Sequence, residues 1–120
     1  MSKYVDGFVL TVPKKNLEGY KIMATKASVV WKDHGALEYR ECVGEDMTPE
    51  GVLPFPTLTN LKEDEVVVFA YIVYNSREHR DEVNAKVMAD PRIKESCDPE
   101  KMPFDCSKMA YGGFQTIVES

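Results

Sequence analysis

Residues 66–74 read VVVFAYIVY, an unbroken run without a charge. In a strand, alternate side chains point to opposite faces, so Val67, Phe69, Tyr71 and Val73 share one side and Val66, Val68, Ala70, Ile72 and Tyr74 the other. Both sets are apolar. Such a strand needs cover on both faces, which places it inside a sheet. It is also far short of the roughly 20 apolar residues that a membrane helix requires.

The rest of the chain supplies neighbours for it. Residues 4–12, YVDGFVLTV, are rich in β-formers and stop at Pro13, which cannot donate to a ladder. From Asn16, an expected N-cap, Leu17, Tyr20, Ala24, Ala27 and Trp31 recur at steps of three and four, which predicts one amphipathic helix ending at His34-Gly35. In ALEYRECVG, Leu37, Tyr39, Glu41 and Val43 share one face, and the charges of the segment suit an edge strand. DMTPEGVLPFPTLTN, residues 46–60, carries three prolines and a glycine and is too broken for a helix. NSRE, residues 75–78, reads as a capping box opening a second helix with Val83 and Val87 inward, ending near Ala89. Two Asp-Pro pairs in residues 90–105 predict short turns, and residues 109–119, MAYGGFQTIVE, form a last strand in which Gly112-Gly113 marks a bulge or a close approach.

The order strand, helix, strand, strand, helix, strand is the ferredoxin-like βαββαβ pattern of an α+β domain. It implies a four-stranded antiparallel sheet in one domain, residues 1–120, with the first and third strands central and both helices on one face. The opposite face, on the order of 400–500 Å² at ordinary strand spacing, is near the limit that a monomer leaves uncovered. A second copy of the chain is the expected cover.

Charge narrows the partners. The net charge is −5, with basic residues dispersed among acids as in KEDE and SREHRDE. A basic stripe is lacking, so neither nucleic acid nor an anionic membrane is expected as a partner. Three cysteines, Cys42, Cys97 and Cys106, form no CxxC pair. They read as reduced thiols in a cytoplasmic protein, with a Cys97–Cys106 link as the alternative. Two histidines without a recurring ligand spacing signal no metal, no cofactor motif is present, and no GxSxG or Cys-His arrangement supports a nucleophile.

YVDGF at 4–8, HGALEYREC at 34–42, SREHRDEVNAKVMADPR at 76–92, MPFD at 102–105 and YGGF at 111–114 resemble the YbaA-like family of uncharacterised bacterial proteins. The resemblance covers nearly the whole chain. It implies a dimeric α+β barrel, in which two ferredoxin-like protomers pack sheet to sheet, and carries no activity with it.

Candidate chemistry sorts by end of the sheet. The two long irregular connections converge on the end that holds Glu41, Asp105 and Tyr111, the candidate catalytic groups, with Phe55, Met102 and Phe104 as expected ligand-binding walls. The competing explanation is that Asp105 caps a turn, Glu41 faces solvent and the aromatics fill core. At the other end Asp6 and His34 are secondary candidates, as a carboxylate orienting an imidazole. Two functions follow: a homodimeric module that binds a small organic molecule or serves association, or a cofactor-independent, oxygenase- or isomerase-like enzyme acting on a small organic substrate.

Overall fold

In the computed structural model, which describes residues 2–96 and 102–120, the apolar run forms most of a strand, β3 (Glu65–Tyr74), with a strand on each side. One neighbour is β1 (Tyr4–Pro13) and the other is β2 (Glu38–Val43); β4 (Ala110–Gln115) lies beyond β1, giving the order β2-β3-β1-β4. All three pairings are antiparallel. The fold is ferredoxin-like, as the element order implies.

Two longer helices cover one face. α1 (Leu17–Asp33) and α3 (Arg77–Ala89) connect the strands, and two short helices, α2 (Phe55–Leu58) and α4 (Pro91–Ser96), lie within the long connections. Val30 of α1 and Val83 and Val87 of α3 join Ile72, Tyr74 and Ile93 in one core cluster, while Tyr20 and Ala24 join Leu10, Val12 and Val68 in a second. Each valine so buried contributes about 1.5–3 kcal/mol relative to exposure. Phe8 packs against both clusters.

Helix ends follow the sequence with small shifts. α1 ends at His34, and Gly35 takes φ +113°, a left-handed conformation that side chains rarely adopt. Its start differs from expectation: a 3-10 turn over Lys14–Asn16 leads into the helix, so Asn16 caps nothing and donates instead to the Pro103 carbonyl (3.0 Å). The cap of α3 sits one residue later than NSRE suggests. The Ser76 hydroxyl accepts from the His79 backbone N–H (3.0 Å), and His79 Nδ1 accepts from the Asn75 N–H (2.9 Å), so histidine fills the reciprocal place expected of Glu78. Residues 55–58 form a single helical turn inside the segment expected to be irregular, because Pro54 and Pro56 fall where no helical N–H is needed.

Gly113 answers the double-glycine question. A side chain there would meet the ring and hydroxyl of Tyr4, which occupy that space. Gly113→Ala is expected to destabilise the fold by about 1–3 kcal/mol, the usual result of overpacking, as read by urea denaturation; an unchanged midpoint would show that Tyr4 moves aside freely. Among the described residues, no helix is long and apolar enough to cross a membrane. Cys42 and Cys106 are free and exposed, and Cys97 lies outside the described residues.

Candidate functional site

Ala70 pairs with Glu41 on one side and Phe8 on the other, and Phe8 pairs with Tyr111. These four residues make one row across the helix-facing side of the sheet. A methyl group between two long side chains leaves depth under the helices, and the space is a cavity of about 420 Å³. That is an ordinary size for a small-molecule pocket. Its walls are apolar and soft: Met23, Met88, Met102 and Met109 with Trp31 and Phe104. Thioethers adapt to irregular shapes, so such walls can close on more than one outline.

Glu41 is the polar group on the β2 side. The Tyr20 hydroxyl of α1 donates to its Oε1 (2.6 Å) and the Tyr39 hydroxyl to its Oε2 (2.8 Å). Burial and the facing carboxylate raise both phenols above their usual range, so both remain protonated donors. Phe104 meets the Tyr20 ring edge-on at 5.6 Å, and the Asn16 tether at Pro103 holds that segment over the cavity.

Asp6 is the second polar group. It is 1% exposed, and Arg80 of α3 donates from Nη1 to its Oδ1 (2.8 Å) and to the Tyr111 hydroxyl (2.9 Å). Tyr111 and Asn84 also face the carboxylate and favour its charged form. The Trp31 indole N–H and the Tyr74 hydroxyl both donate to Asn84 Oδ1 (3.2 Å each), which leaves the Asn84 amide hydrogens for Asp6. Burial pushes the Asp6 carboxyl above the usual carboxylate range, against the opposing pull of Arg80 and these hydrogen bonds. Arg80 is itself held by Asp81 (2.8 Å) and lies over the Tyr4 ring at 5.0 Å.

Five of the residues singled out in the sequence therefore line one cavity: Asp6, Glu41, Met102, Phe104 and Tyr111. Three others lie away from it. Asp105 is exposed and accepts from the Ser107 N–H (3.0 Å) and hydroxyl (2.6 Å), hydrogen bonds that hold its carboxyl below the usual range. Phe55 starts α2 and is 42% exposed. His34 pairs through Nε2 with Asp90 (2.8 Å), not with Asp6, because Asp90 closes α3 beside the end of α1. Arg92 also holds Asp90, and its hydrogen bonds, followed by that of His34, keep the carboxyl far below its ordinary value.

Tyr20, Trp31, Tyr39, Arg80 and Asn84 complete the polar framework without having been singled out as such. Arg80 and Asn84 stand four apart and flank the inward Val83, a spacing that puts them on one side of the helix. That spacing was the available signal.

A family described as "Protein of unknown function (DUF1428)" matches residues 3–106. The chain belongs to this family. Relatives named "Uncharacterized protein YbaA" from Escherichia coli strain K12 and from Shigella flexneri are each 45% identical over 117 residues, covering 98% of this chain and 98% of theirs. Among solved structures, a NIPSNAP family protein of unknown function from Agrobacterium tumefaciens aligns with TM-score 0.57 at 14% identity, covering 95% of this chain and 87% of its own. A dimeric ferredoxin-like protein from an uncultured marine organism aligns with TM-score 0.58 at 9% identity, covering 100% and 92%. At such identities the likeness of this DUF1428 chain to both is one of fold alone.

Proposed function

We propose that the protein is a homodimeric binding protein, each protomer of which takes a small, mostly apolar organic molecule into the cavity over Ala70. The observation that carries this reading is the cavity itself: about 420 Å³ walled by methionines and aromatics, with the polar groups of the described residues gathered around Asp6 and Glu41. That is the usual form of a small-molecule site. Dimerisation through the open sheet face is supported by the apolar side chains there, Phe69 at 44% and Phe114 at 61% exposure, and by the dimeric neighbour of the same fold. Exposed free thiols at Cys42 and Cys106 support a reducing, cytoplasmic setting.

The test uses toluene as a neutral probe in isothermal titration. Ala70→Leu fills the floor of the cavity and is expected to weaken toluene binding at least tenfold, with a melting temperature equal to or above that of the parent. Equal toluene affinity in the two proteins, or none in the parent, would sink the reading.

A catalytic reading draws on the Asp6 carboxyl, raised by burial beside Tyr111 in the same cavity. Asp6 is already paired with Arg80, which commits its carboxylate within the protein. Glu41 would be the base of a cofactor-independent reaction, and release of a chemically altered ligand would distinguish enzyme from binder.

A further inference from the structure

The charges around the cavity are one-sided. Among the described residues that line it, Asp6 and Glu41 are acidic and none is a lysine, arginine or histidine. The two carboxylates are not equivalent. Asp6 is met from behind by the Arg80 guanidinium at 2.8 Å, so its charge is balanced within the protein. Among the described residues, Glu41 receives phenol hydroxyls from Tyr20 and Tyr39, which donate hydrogen bonds without bringing charge. No cation among the described residues forms an ion pair with Glu41; Lys21, which lines the neighbouring groove, is bonded to Glu18 (3.5 Å). Each Glu41 oxygen accepts one phenol and keeps a second lone pair.

From this placement we infer that the ligand is a hydrophobic amine, such as an arylalkylammonium, whose N–H donates to Glu41 while its apolar body lies against Phe8, Phe104 and the methionines. The inference rests on the binding reading above and names its ligand class. An ammonium group supplies the charge that Glu41 lacks, through the strongest kind of hydrogen bond a carboxylate makes. Tyr20, Tyr39 and Phe104 add aromatic surface at that end of the cavity, which favours a cation over a neutral group. An anionic ligand would instead meet an unbalanced like charge in an apolar surround, and the site rejects it.

The experiment is a titration of the full-length protein at pH 7 with three probes of one shape: 2-phenylethylamine, 2-phenylethanol and 3-phenylpropionate. The amine is expected to bind about 10- to 100-fold more tightly than the alcohol, the value of one charged hydrogen bond, and the acid most weakly. Glu41→Gln is expected to remove the advantage of the amine and to leave alcohol affinity within about threefold, which reports an intact cavity in the variant. The inference is overturned if the alcohol or the acid binds as tightly as the amine, if Glu41→Gln keeps the amine preference, or if no probe binds. Toluene binding judges the cavity separately, so loss of the amine preference with toluene still bound removes this inference and leaves the binding reading standing.

Discussion

Arg80→Met is expected to lower the unfolding free energy by about 3–5 kcal/mol, because it strands a buried carboxylate. Asp6 and Arg80 have side-chain exposures of 2% and 13% and lie 2.8 Å apart, so loss of the guanidinium takes the charged partner from a nearly buried carboxylate. Against the roughly 5–15 kcal/mol that holds a typical domain together, the loss is large. Its pH dependence has a definite sign. Burial already raises the folded-state Asp6 carboxyl above its ordinary value of 3.8, and Arg80 opposes that rise. Without Arg80 the rise is larger. A group with a raised folded value contributes stability below its unfolded value and loses it as pH climbs through the folded one. The deficit of the variant is therefore greatest at neutral pH and shrinks toward about pH 4. Urea denaturation of both proteins at one fixed concentration, at pH 7 and pH 4.5, measures it. An Asp6→Asn, Arg80→Met double variant should recover a good part of the loss, since neither charge is then buried alone. A deficit below about 1 kcal/mol, or one independent of pH, would show that Asp6 reaches solvent or another donor once Arg80 is gone.

Arg80 also shows where the sequence stops being legible. The architecture follows from VVVFAYIVY, since a strand apolar on both faces admits few positions, and the flanking periodicities fix the order of the other elements. Side-chain networks obey no such rule. Arg80 sits in SREHRDE, a run in which basic residues are dispersed among acids without marking any one of them, yet its guanidinium folds inward to Asp6, Tyr111 and the Tyr4 ring. Glu41 was visible as a candidate because it lies at the end of the sheet where the two long connections converge, but one of its phenols comes from α1, and no local pattern pairs residues 20 and 41. Sorting candidates by ends of the sheet also separated too much. Glu41, Ala70, Phe8 and Tyr111 form one row, and Asp6 belongs to the adjacent row on the same face, about 12 Å from Glu41 by strand spacing. One cavity spans both. Misplaced helix starts have a simpler cause: Asn75 and Ser76 are comparable caps, and the choice between them falls to His79, whose ring reaches back to the Asn75 N–H.

Phe69→Glu is expected to convert the proposed dimer into a monomer. Phe69 pairs with Val9 and Cys42 on the face away from the helices, where its ring meets Tyr71 at 6.1 Å. Val5, Val9, Val73 and Phe114 share that face, and the charged Glu38 and Arg40 stand at its β2 edge. An apolar centre with a charged rim is how a protein interface is built. In a two-fold dimer the same patch contributes from both copies, so one substitution buries two carboxylates without partners. At a few kcal/mol for each, the dissociation constant rises by about a thousandfold or more. The sheet alone, on the order of 400–500 Å² in plan, falls short of the roughly 800 Å² per partner of a stable interface. Val52, Leu53, Phe55 and Leu58 in the β2–β3 connection, each at least 42% exposed, are the side chains that can supply the remainder. Light scattering at micromolar concentration should give twice 13.6 kDa for the parent and 13.6 kDa for the variant. Phe69 is 44% exposed in the single protomer, so a charge there is compatible with the monomer fold, and circular dichroism of the variant should match the parent. Arg40→Glu, at the rim, should shift dissociation only slightly. A parent that runs as a monomer, or a Phe69→Glu protein that stays dimeric, would remove the sheet face from the assembly and leave its apolar centre without a partner.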